Sequence, residues 1–123
     1  MKFIDNPSAT SRPDHYQSVE VDVGKVLKSW QISLYSFEWM HPDGRIKTLE
    51  ELPEKEHAKR RDAEEKIEKQ TDLEKPILGI GLMDNVEIGS GRALFLSLAA
   101  HGVKTIPVHI PKSNQDEFKN YLA

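Results

Sequence analysis

Residues 86–102, VEIGSGRALFLSLAAHG, decide how this chain is read. Val86, Glu87 and Ile88 alternate apolar and polar as a half-buried strand does, and Gly89-Ser90-Gly91 is a tight turn. Arg92 then opens an apolar stretch in which Leu94, Phe95, Leu98 and Ala99 repeat at helical spacing, closed by Gly102 as a natural C′ residue. A strand that enters a helix through a glycine-rich turn leaves backbone N–H groups unpaired at the positive end of the helix dipole, an arrangement that holds a phosphate. Gly89, Ser90, Gly91 and Arg92 are therefore the candidate binding residues: backbone donors, one hydroxyl, and one guanidinium able to bind an oxyanion through two bonds. The competing account is structural. A turn can need glycine for its backbone alone, and Arg92 can be solvated at the helix start, although a cation there opposes the dipole.

Downstream of this stretch, residues 105–110, TIPVHI, read as a strand with Pro107 at an edge or bulge. Ser113 is placed to cap a last short helix over residues 114–122, anchored by Phe118, Tyr121 and Leu122. Upstream, residues 76–82, PILGIGL, form a buried-strand pattern, and Met83-Asp84-Asn85 turn it into residues 86–88. Asp84 and Glu87 flank that hairpin and are the candidate ligands for a Mg²⁺ set against a bound phosphate; the plainer reading makes them a turn residue and an outward strand residue.

Residues 54–75, EKEHAKRRDAEEKIEKQTDLEK, are strongly helix-forming, with Ala58, Ala63, Ile67 and Leu73 as a thin apolar stripe. Thr48 and Glu51 have capping-box spacing ahead of it, and Pro53 suits a first turn. Its Lys59-Arg60-Arg61 cluster sits among acidic residues and reads as one side of a salt-bridged, solvated face. Residues 31–40, QISLYSFEWM, alternate with bulk on both faces and predict a strand covered on both sides; Trp30, Tyr35, Phe37 and Trp39 are divided between core packing and stacking on a base. His41-Pro42-Asp43-Gly44 is a turn. Val19, Val21 and Val23 alternate with polar residues as a strand, ended by Gly24 and followed by a helical turn carrying Val26, Leu27 and Trp30. Residues 1–16 read as an extended, partly mobile arm, leaving residues 17–123 as a single mixed α+β domain.

Composition removes several classes of function. The chain has 123 residues and a net charge of −3, which argues against coating nucleic acid or anionic membrane through bulk electrostatics. The acidic excess lies in residues 50–75, where ten acidic side chains face seven basic ones. No cysteine is present, so disulfides, thiolate metal sites and thiol chemistry are out. The five histidines show no ligand pair at close helical spacing, so a zinc site is not expected; His109 reads as a satisfied surface or rim residue. No apolar run approaches membrane-spanning length and the N-terminus lacks an export-type apolar segment, which makes the cytoplasm the expected location.

From residue 73 to 110 the succession Pro76-Ile77, Val86-Glu87-Ile88, the Gly-Ser-Gly-Arg turn, the helix closed by Gly102, and Ile106-Pro107-Val108 resembles the ParB/sulfiredoxin superfamily. The resemblance extends more weakly back to residue 17. It implies a small α+β fold of that type that binds a nucleotide or nucleic acid, DNA included, with a nucleoside triphosphate and Mg²⁺ as the cofactors. It also implies a nuclease or nucleotide hydrolase, in which Arg92 and Ser90 are the catalytic candidates and Asp84 or Glu87 carries the ion. Two departures qualify the match. Ser90 stands where sulfiredoxins carry their redox cysteine, which excludes sulfinic acid reduction. Ala93 and Leu94 stand where ParB carries two arginines, which favours an alternative: a catalytically inactive module of the same fold that engages a protein partner. No membrane partner is expected.

Overall fold

The computed structural model describes residues 1–70 and 72–123. Among the described residues, six strands and five α-helices form a mixed α+β domain: β1 (Phe3–Ile4), α1 (Pro7–Thr10), β2 (Tyr16–Asp22), α2 (Val23–Trp30), α3 (Glu54–Lys69), β3 (Leu73–Glu74), β4 (Leu78–Ile80), β5 (Val86–Ile88), α4 (Arg92–Ala100), β6 (Thr105–Pro111) and α5 (Gln115–Phe118). Among the described residues no helix is long and apolar enough to cross a membrane.

The longest ladder is antiparallel β2 with β6, which pairs Tyr16 with Pro111 and Asp22 with Thr105 at its ends. The β4–β5 hairpin joins the far side of β6 through a parallel bridge of Ile77 with His109, where the His109 N–H donates to the Pro76 carbonyl at 2.9 Å. Pro107 is tolerated in β6 because pairing on that far side begins only at His109. Phe95, Leu96 and Leu98 of α4, Val26 and Trp30 of α2, and Ile106, Val108 and Ile110 of β6 are fully or almost fully buried in one core.

Local chemistry sets the boundaries. β2 ends at Asp22 and not at the predicted Gly24, because Asp22 caps α2 with its carboxylate, accepting from the Lys25 N–H at 2.9 Å; Val23 and Gly24 already belong to the helix, and strand and helix abut without a loop. Helix α4 ends as predicted: Gly102 takes φ +84°, its N–H reaches the Ala99 carbonyl, and the Val103 N–H reaches that of Leu98, a Schellman closure. The Thr48–Glu51 box closes only in part. Glu51 accepts from the Thr48 N–H at 2.9 Å, but this fastens a separate turn, and α3 starts later at Glu54 with Pro53 before it.

Four further expectations are corrected. Residues 31–40 are not a strand: Gln31 to Tyr35 turn, and Ser36–Glu38 form a 3₁₀ helix. The serines cause this, since Ser36 Oγ donates to the carbonyls of Gln31 and Ser33 and Ser33 Oγ accepts from the Tyr35 N–H, local bonds that replace a ladder. Only Ser33, Ser36, Trp39 and Met40 of that stretch are buried. On α3, Ala58 is exposed, Leu73 belongs to β3 rather than the helix, and Arg60 is buried, donating to the Lys47 carbonyl at 2.9 Å and pairing with Glu64. Residues 1–16 are not extended throughout: β1 pairs in parallel with β3, and Asn6 caps the helical turn α1. Ser113 caps nothing; it lies in a 3₁₀ turn, and α5 is held instead by buried Phe118.

Candidate functional site

The Gly-Ser-Gly turn lies on the lip of a cleft of about 650 Å³. Its walls are the N-terminal arm at Asn6, the inner face of α3 from Glu56 to Lys66, and the start of α4. The structure thus brings all four predicted binding residues, Gly89, Ser90, Gly91 and Arg92, to one edge of one opening.

Each has a defined task. Gly91 is the N-cap of α4 at φ +81°, and a Cβ there would stand 3.0 Å from Pro76 Cα, so the turn needs glycine both for its dihedral and for its closeness to Pro76. With no side chain at the cap and no acidic residue in the first turn, the N–H groups of Arg92, Ala93 and Leu94 meet no acceptor among the described residues. Ser90 Oγ is exposed and accepts from Asn6 Nδ2 at 3.1 Å, which leaves its own proton free to donate. The Arg92 Nε donates to the Ile88 carbonyl at 3.0 Å, and its guanidinium carbon lies 5.0 Å from the centre of the Tyr35 ring. No carboxylate pairs with Arg92 among the described residues, whereas Lys59 and Lys66 in the opposite wall pair with Glu56 and Asp62. Arg92 is thereby held by stacking and one backbone bond while both terminal amino groups stay uncommitted.

Asp84 and Glu87 are not presented together. Glu87 accepts from Ser33 Oγ at 2.6 Å and from Asn85 Nδ2 at 3.0 Å and fastens the 31–37 loop to the hairpin; Asp84 sits exposed in the turn at φ +59°. Among the described residues Asp84 is thus the one of the two carboxylates without a hydrogen bond or ion pair. Among the described residues no group of three or more His, Asp or Glu side chains is arranged to hold a metal.

The residues that sequence reasoning missed stand behind the turn. Asn6 is buried and fully used: its N–H donates to His109 Nε2 at 3.0 Å, Nδ2 donates to the Lys75 carbonyl and Ser90 Oγ, and Oδ1 accepts from the Ser8 N–H. Asn-Pro at positions 6 and 7, a cap before a proline at the first helical position, was the signal available. His109 is a buried acceptor rather than a surface or rim residue, and burial pushes its pKa below the usual histidine value. Lys75 donates to Asp5 at 2.9 Å and holds that carboxyl below its usual range.

Comparison of the chain with protein-family models, with curated proteins and with solved structures returned no match.

Proposed function

We propose that this is a cytoplasmic ParB/sulfiredoxin-like domain that binds a phosphate of a nucleotide or nucleic acid at residues 89–92. One observation carries the reading: three first-turn N–H groups of α4 without acceptors, the Ser90 hydroxyl and the unpaired Arg92 meet on the lip of a single cleft. The order β5, glycine turn, α4, β6 supports the family resemblance. Any Mg²⁺ is expected to arrive with a triphosphate, since Glu87 would otherwise have to give up Ser33 and Asn85.

A thermal-shift series with ATP, CTP, GTP and short single- and double-stranded DNA, with and without Mg²⁺, tests this. A ligand at ~100 times its Kd stabilises the folded state by ~2.7 kcal/mol. The expected result is a rise in Tm that disappears in Arg92→Ala, whose own Tm in buffer stays close to that of the parent. No shift with any of these ligands overturns the reading.

The four carboxylates in the cleft, Glu56, Asp62, Asp72 and Glu74, together with Ala93 and Leu94 in place of an arginine pair, favour a second reading: an inactive protein-interaction module. On that reading Arg92→Ala leaves every ligand titration unchanged.

A further inference from the structure

The loop that fails to form a strand exposes what a strand would have buried. Leu34 is 82% exposed and Phe37 69%, with Ile32 and Tyr35 more than half exposed, and residues 31–37 carry no charge. At the tip of the β4–β5 hairpin Leu82 is completely exposed and Met83 69%. The two groups are neighbours, joined through Glu87. Ser33 Oγ lies 2.6 Å from Glu87, and Glu87 fills the space beside Gly81, the residue before Leu82.

We propose that this surface docks a second copy of the chain in an isologous dimer. The size argues for it. Six large hydrophobic residues exposed to this degree present roughly 800 Å² in total, backbone and the Tyr35 hydroxyl included, which is about what each partner contributes to a standard interface. The composition argues for a copy of the chain itself, because homodimer interfaces are the more apolar kind and have few charges at their centre. So does the shape. Phe37, Met40 and Pro42 line a hollow of about 480 Å³ together with Gln31, Ser36, His41 and Lys47, and Leu82 with Met83 stands exposed on the neighbouring hairpin. A two-fold axis seats Leu82 and Met83 of each copy in the other copy's hollow, since in such an interface every contact occurs twice. The proposal does not rest on phosphate binding, although Tyr35 of this surface also stacks on Arg92.

Sedimentation equilibrium gives the test. The parent is expected at twice 14.0 kDa. Leu82→Glu and Phe37→Glu each place two buried carboxylates in the interface and should weaken the dimer by about 100-fold or more, with the far-ultraviolet circular dichroism spectrum unchanged because both side chains face solvent in one chain. As the parent has no cysteine, mixing Leu82→Cys with Phe37→Cys chains should give a disulfide-linked heterodimer in preference to either homodimer. A parent that stays at 14.0 kDa up to millimolar concentration overturns the proposal, as does a dimer that persists in both glutamate variants.

Discussion

Gly91 and Gly102 have nearly the same backbone, at φ +81° and +84°, but different surroundings. An added Cβ at Gly102 meets nothing within 4 Å, whereas at Gly91 it meets Pro76 at 3.0 Å. Gly102→Ala should therefore cost only the left-handed penalty, about 1 kcal/mol. Gly91→Ala adds a backbone collision, so it should cost about 2–3 kcal/mol and displace the lip of the cleft. Urea midpoints at constant m separate the two, and equal losses would mean that the Pro76 approach is not constraining. Asn6→Ala removes the cap of α1 and leaves the Lys75 carbonyl and Ser90 Oγ without their donor. A loss of about 1–3 kcal/mol is expected in the same assay.

At the scale of elements, the N-terminal arm is held through a histidine that must stay neutral. His109 Nε2 accepts the Asn6 N–H, so protonation destroys the bond. Burial lowers the folded pKa below 6.5, against the opposing pull of Asp5 at 3.8 Å. Between the folded value and 6.5 the unfolded chain binds more protons, so the stabilisation is complete above pH ~6.5 and is lost as pH falls through the folded pKa. Urea midpoints between pH 7 and 5 should decline, and His109→Gln, which keeps an acceptor but cannot titrate, should flatten that decline. A parent profile no steeper than that of the variant would remove His109 from the account.

The same scale shows what periodicity reveals. β2, α3 and the run from β5 through α4 to β6 were legible because each carries its own signal: alternating valines, a charged helical repeat, and a glycine at either end of an apolar helix. The 31–40 segment was misread because its alternation is real, yet Ser33 and Ser36 satisfy the backbone locally and leave Leu34 and Phe37 in solvent. Gly89 to Arg92 could be proposed from the turn chemistry alone. Asn6 and His109 could not, because a hydrogen bond across 103 positions leaves no periodic trace.

For the whole molecule, both chain ends act as closures. The C-terminal segment returns to the β2 edge, with Val21 bridged to Leu122, the Ala123 N–H on the Glu20 carbonyl, and Tyr121 Oη donating to Ser29. Phe118 seals the core beneath it and is completely buried, so Phe118→Ala should cost about 3–5 kcal/mol. A cost of less than 1 kcal/mol would show that the C-terminal segment merely lies on the surface.

The bond between Asn6 and His109 also fixes an order of events during synthesis. Asn6 leaves the ribosome ahead of all its long-range partners: Lys75, Ser90 and His109 follow after 69, 84 and 103 further positions. β3, Lys75 and Ser90 can receive the N-terminal segment before β6 exists, but until β6 has emerged the Asn6 N–H lacks its acceptor, and the wall of the cleft that Asn6 provides is not fully backed. A nascent chain stalled before residue 109 carries the glycine turn but not its full backing.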